Sequence, residues 1–146
     1  MALTKLKDVL DMVDFGHTLF GLPFAYLGAF LAIKGMPTLF QLIWITLAMV
    51  GARTAALCLN RLIDLDIDRA NPRTAEWVLP AKKLSPQKVW ILVFLSLALL
   101  LFSAAQLNPL CLKLSPLAVV VLWMYSYTKR FTWWCHLILG LAIGIG

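Results

Sequence analysis

The chain is a succession of apolar runs separated by short breaks rich in Lys, Arg and Pro. The first run extends from Phe15 to about Ile33 and is ended by Lys34-Gly35-Met36-Pro37. The second goes from Thr38 to about Leu59 and continues as a polar helix end. After "RANPRTAEWVLPAKKLSPQK" (69–88), apolar residues return from Val89 to about Ala105, pause at "QLNPLCLK" (106–113), and resume from Leu114 to about Tyr125. Tyr127-Thr128-Lys129-Arg130 breaks the chain again before a last run from Phe131 to Gly146. A bilayer-crossing helix needs ~20 mostly apolar residues, so 146 residues organised in this way hold four spans and a fifth begun. Composition points the same way: 62% of residues are hydrophobic and 14% charged, against ~25% charged in soluble domains. A water-soluble globule and a disordered chain are both excluded. The expected fold class is an all-α integral membrane bundle.

The charges sort by loop. With the N-terminus inside, Lys5, Lys7, Arg53, Arg61, Arg69, Arg73, Lys82, Lys83, Lys88, Lys129 and Arg130 fall on inner segments or the inner half of span two. Lys34 and Lys113 fall outside, and every acid falls inside. Bases prefer the cytoplasmic side of a membrane, so the expected topology has a cytoplasmic N-terminus; the membrane expected for it is a bacterial inner (plasma) membrane. The net charge of +6 lies between apolar runs and points to the lipid bilayer, not to nucleic acid. Residues 1–14 are too acidic for a signal peptide. Cys58, Cys111 and Cys135 form no CxxC or metal-ligand spacing and are expected to be packing residues. "FTWWCHLILGLAIGIG" (131–146) has no closing polar anchor, and we expect a chain cut within its fifth helix, the N-terminal part of one membrane domain.

The end of span two carries the chemistry. Asn60, Asp64 and Asp68 are spaced by four residues, and Arg53 lies seven before Asn60. On a helix these positions drift slowly around one face, ~6 Å apart along the axis for each four-residue step. Asp66, ~200° around from Asp64, points away. Ionisable groups on a membrane helix are functional candidates by default. Two carboxylates and a carboxamide one turn apart offer the hard oxygen ligands that suit Mg²⁺ together with a substrate's phosphate oxygens. A bound cation would also remove the repulsion between Asp side chains four residues apart. Spacing alone leaves a solvated helix end as the alternative. Asp64-x-Asp66-x-Asp68 also mimics the start of a calcium loop, but Arg69 and Ala75 stand where that loop needs Gly and Glu. The bases of the following segment and of Tyr125-Ser-Tyr-Thr-Lys129 are expected on the same membrane side as the acids, which suits a metal-bridged diphosphate.

"NRLIDLDIDRANPRT" (60–74) resembles the first aspartate-rich motif, NxxxDxxxD, of the UbiA superfamily of membrane prenyltransferases. "HTLFGLPFAYLGAF" (17–30) resembles that family's first helix, and "YSYTKRFT" (125–132) contains its YxxxK element. The NPRT wording is most like the 4-hydroxybenzoate polyprenyltransferase branch, including homologues assigned to menaquinone synthesis. The resemblance implies a nine-helix bundle with two Asp-rich motifs facing each other across a cavity open to the membrane. It implies Asn60, Asp64 and Asp68 as the metal site and Asp64, Asp68 and Lys129 as catalytic. Arg53, Asn60, Arg73, Tyr125 and Lys129 would bind substrate, with Lys129 on the diphosphate. Trp77-Val78 departs from the Arg-Pro common in relatives.

The implied reaction is Mg²⁺-dependent transfer of a polyprenyl group from an allylic prenyl diphosphate to an aromatic acid, 4-hydroxybenzoate or a naphthoate, in ubiquinone or menaquinone biosynthesis. Tyr26, Trp44, Trp123 and Tyr125 are aromatics available to steady the allylic cation. The second Asp-rich motif would lie beyond residue 146, so these residues alone are expected to be inactive. The competing expectation is an ion- or proton-coupled transporter, or a small helical membrane protein, whose Asp pair binds an ion. His17 and His136 are expected at the membrane interface, and Pro23 to kink the first span.

Overall fold

The boundaries of the helices follow from a few residues. Thr38 opens the second long helix with a reciprocal capping box: the Gln41 N–H donates to Thr38 Oγ1 (3.3 Å) and the Thr38 N–H to Gln41 Oε1 (2.8 Å). Pro86 stands in the first turn of the next long helix, where its missing N–H costs nothing. Asn108 caps the last one, its Oδ1 accepting the Leu110 N–H at 2.9 Å. In a computed structural model, which describes residues 10, 15–128 and 137, these signals delimit α1 (Phe15–Ile33), α2 (Leu39–Ile63), α3 (Leu65–Ala70), α4 (Pro86–Leu107) and α5 (Pro109–Thr128). The described residues include no strand.

The four long helices coincide with the four expected spans, with two differences. The expected break over 106–113 shrinks to Asn108, because the Asn-Pro pair ends one helix and caps the next in a single step. Cys111 and Lys113 therefore belong to α5, where Cys111 is exposed and is not the packing residue expected of it. At the end of α1, Lys34 and not Gly35 takes the left-handed conformation (φ 53°). Gly35 comes one place later and donates its N–H to Phe30 O at 3.3 Å. By length and composition α2 and α4 can each cross a membrane. α1 runs through Pro23. The fifth expected span lies outside the described residues, Leu137 excepted.

α2 is the central helix. Its most extensive contact is with α4, and the pairing is antiparallel: Trp44 meets Phe102 (ring centroids 5.4 Å apart), Gly51 lies against Ser96 and Leu100, and Cys58 clusters with Val89 and Val93. Small residues make the approach possible. Gly51, Ala55, Ser96, Ser103 and Ala104 are all buried, and such residues let membrane helices pack backbone to backbone. α1 also lies antiparallel on α2, with the Tyr26 hydroxyl 2.6 Å from Thr46 Oγ1. Since the Thr46 hydroxyl donates to Leu42 O (2.7 Å), Tyr26 is the donor. α5 touches both α4 and α2. Broad apolar faces remain exposed, including Phe20, Phe24 and Leu31 on α1 and Ile91, Phe94 and Leu95 on α4. Such faces suit lipid or further helices.

The basic segment between α3 and α4 is an ordered, packed element. Leu79 and Leu84 are buried against Cys58, Leu59, Val89 and Val93. One helical turn is closed by a Schellman pattern, with the Lys82 N–H on Leu79 O (3.1 Å) and the Lys83 N–H on Val78 O (3.0 Å). Lys82 holds the left-handed position at φ 58°.

Candidate functional site

Helical spacing is kept through the aspartate motif although α2 formally ends before it. Asp64 sits between α2 and α3 with φ −86° and ψ 2°, a local tightening. The hydrogen-bond ladder nevertheless passes straight through: the Asp64 N–H donates to Asn60 O (3.0 Å) and the Asp68 N–H to Asp64 O (2.8 Å). Asn60, Asp64 and Asp68 thus stand on consecutive turns, each ~6 Å further along the axis. Asp68 is buried at 9% exposure, and Asn60 and Asp64 are half-buried. The Asp66 side chain is 95% exposed and lies 3.6 Å from the Arg69 guanidinium, turned away from the other three as its spacing predicts.

The "NPRT" segment is a turn that ties itself to this helix end. Pro72 holds Asn71 in extended conformation (φ −97°, ψ 119°), which stops α3. Asn71 Oδ1 then accepts the Arg73 N–H (3.0 Å), and Asn71 O accepts the N–H groups of Thr74 (3.0 Å) and Ala75 (2.9 Å). Thr74, buried, donates its hydroxyl to Asp68 O at 2.8 Å. Arg73 is left with an exposed side chain on a turn anchored directly to the second aspartate.

Arg53 lies eleven residues before Asp64, ~16 Å deeper along the helix. Its guanidinium reaches toward α1: a Cβ placed on Gly21 would stand 3.8 Å from Nη2. Lys129 lies outside the described residues, and of Tyr125 only the backbone, within α5, is described. Two aromatics expected near the chemistry are placed elsewhere. Trp44 is edge-on to Phe40 and Phe102, and Tyr26 is bonded to Thr46, each ~27–30 Å along α2 from Asp64. That end of α2 holds an open apolar cavity of about 630 Å³ between α1 and α2, lined by Tyr26, Phe30, Pro37, Leu42 and Thr46 among others. Trp123 is edge-on to Tyr127 with centroids 5.0 Å apart, in the half of α5 that follows toward the aspartate end.

One contact at the site has no counterpart in the sequence reading. The Arg61 guanidinium carbon lies 3.7 Å from the centroid of the Trp77 ring. The available signal was the apolar content of the segment: Trp77, Val78, Leu79 and Leu84 among bases mark a piece of chain that must bury something.

Among the described residues no three His, Cys, Asp or Glu side chains converge. The donor set is two carboxylates and a carboxamide on one helix end, one carboxylate buried, with a base on the adjoining turn. That is an incomplete cage for a metal alone, but it fits Mg²⁺, which commonly takes one or two carboxylates and completes its shell with water and phosphate oxygens.

Residues 21–146 match the model of the UbiA prenyltransferase family. The 4-hydroxybenzoate octaprenyltransferase of Pasteurella multocida is 36% identical over 119 residues, 79% of this chain and 40% of that protein. The enzyme of the same name from Photobacterium profundum is 29% identical over 151 residues, 99% of this chain and 51% of that protein. The apo structure of a UbiA homolog from Aeropyrum pernix K1 superposes with a TM-score of 0.82 at 43% identity, covering 88% of this chain and 46% of that one. The chain thus spans about half the length, or less, of the relatives it matches. With the motif, the helical architecture and the superposition in agreement, the chain belongs to the UbiA prenyltransferase family.

Proposed function

We propose that this chain supplies the diphosphate-binding end of an enzyme that moves a polyprenyl group from an allylic prenyl diphosphate to an aromatic acid. 4-Hydroxybenzoate in ubiquinone synthesis is the first candidate acceptor, and a naphthoate in menaquinone synthesis the second. The observation that carries the reading is the unbroken ladder Asn60–Asp64–Asp68, with Asp66 turned outward. The names of the relatives support prenyl transfer to 4-hydroxybenzoate.

Asn60, Asp64 and Asp68 would hold Mg²⁺, which when bound neutralises charge on the departing diphosphate. Arg73, on its anchored turn, and Lys129 supply fixed positive charge to the same phosphate oxygens, and Arg53 presents a cation deeper in the bundle. The exposed apolar faces of α1 and α4 take the isoprenoid tail from the bilayer. The carbon–oxygen bond to diphosphate breaks, a ring carbon of the acceptor bonds to the allylic carbon, and that ring carbon loses its proton. An aromatic face such as Trp123 stabilises the developing allylic cation. In this reading the aspartate end faces the cytoplasm, because Lys34 and Lys113 lie at the opposite end of the helices and Arg61, Arg69, Arg73, Lys82, Lys83 and Lys88 at this one.

The test compares Asp64→Asn with Asp66→Asn in the full-length protein in membranes. Charge stabilisation by a metal is worth several kcal/mol, so Asp64→Asn should lower prenyl transfer by at least about a hundredfold. Asp66→Asn should cost no more than about twofold, since an exposed ion pair contributes little. Equal losses in both variants would refute the one-face site, and unchanged transfer after EDTA treatment would refute the metal.

A further inference from the structure

The Arg61–Trp77 contact closes a ring of interactions around the site. Arg61 lies seven residues before Asp68, two turns away and ~20° from it around the helix, on the Asp68 edge of the functional face. Its guanidinium stacks on Trp77. The Trp77 N–H donates to Thr74 O at 3.0 Å, and the Thr74 hydroxyl donates to Asp68 O at 2.8 Å. The path leaves the helix at Arg61 and returns to it at Asp68, passing through the turn that bears Arg73. Beyond Trp77, Leu79 and Leu84 seat the segment on Cys58, Leu59 and Val89. A buried apolar foot fixes where the segment lies. It leaves Arg73, at the opposite end, to be set by the stack and the Thr74 bond.

We propose that Trp77 is a positioning residue: stacked on Arg61, it clasps the 71–85 segment to the end of α2 and so holds Arg73 beside Asp68 to receive a diphosphate. The proposal rests on the diphosphate reading above. Trp is the strongest aromatic partner for a guanidinium. Trp77 is 37% exposed, and its ring holds the Arg61 guanidinium against the end of α2. Trp77 acts on the ligand through the geometry of the turn.

The test uses the full-length protein in detergent, with inorganic pyrophosphate plus Mg²⁺ as the binding probe and amide exchange over 71–85 as the structural readout. Trp77→Ala should weaken pyrophosphate binding by about fivefold to tenfold, the scale of one partly desolvated stack, and speed exchange at residues 73–77. Trp77→Phe should recover most of both. Arg61→Gln should lose at least as much as Trp77→Ala, and the double variant should lose no more than Arg61→Gln alone, because the stack is already gone in it. 4-Hydroxybenzoate binding should stay unchanged in all of them, which a loss of fold would not permit. Wild-type pyrophosphate affinity in Trp77→Ala, or losses that multiply in the double variant, would overturn the clasp. A wild-type protein that binds no pyrophosphate would instead overturn the diphosphate reading, and exchange in Trp77→Ala would then decide the clasp by itself.

Discussion

Replacing Gly51 with Ala tests how α2 is held in the bundle, and hence how its functional end is placed. A Cβ built on Gly51 would lie 2.8 Å from Ser96 O, 3.0 Å from Leu100 N and 3.4 Å from Leu100 Cα. All three are backbone atoms of α4, so no rotamer change relieves the contact. The helices must separate by ~0.6 Å or more to reach a normal van der Waals distance. Overpacking of this kind costs ~1–3 kcal/mol. Ala also restores ~1 kcal/mol of helix propensity relative to Gly. Gly28 supplies the control: it lies within α1, and a Cβ there meets nothing within 4 Å among the described residues. Gly28→Ala should therefore show the propensity gain alone. The stability difference between the two variants isolates the packing penalty, ~1–3 kcal/mol in favour of Gly28→Ala. Denaturation of the full-length protein in mild detergent, by heat or by SDS titration, measures it. Equal stabilities would show that α2 and α4 are not in backbone contact at Gly51 and would refute the packing scheme.

Lys82→Gly should stabilise the protein by about 0.5–1 kcal/mol, because Lys82 occupies the left-handed position of a Schellman turn that a Cβ disfavours; Lys82→Val should destabilise it in the same assay. Tyr26→Phe removes one interhelical hydrogen bond, worth ~0.5–1.5 kcal/mol. Since Tyr26 lies ~27 Å along α2 from Asp64, the KM for prenyl diphosphate should not change; a severalfold rise would place Tyr26 at the chemistry after all.

The departures from expectation have separate physical causes. Polarity and a proline suggest a loop over 106–113, yet Asn108 and Pro109 are a cap and a first-turn residue, and the chain needs nothing more to reverse. Lys34 and Lys82 adopt left-handed φ although neither is a glycine, because neighbouring hydrogen bonds outweigh a modest local cost. Trp44 and Tyr26 were sensible cation partners by residue type. Their distance from Asp64 along the helix is set by register, and packing then assigned them to Phe102 and Thr46.

Membrane class, the four long helices and the face shared by Asn60, Asp64 and Asp68 were legible from residues alone, because they depend only on run length and on a helical period that holds locally. The antiparallel seating of α2 on α4 through Gly51, the burial of Leu79 and Leu84, and the Arg61–Trp77 stack were decided by the tertiary structure. Each depends on which surfaces meet, and residues far apart in the chain meet only once the helices have chosen their neighbours.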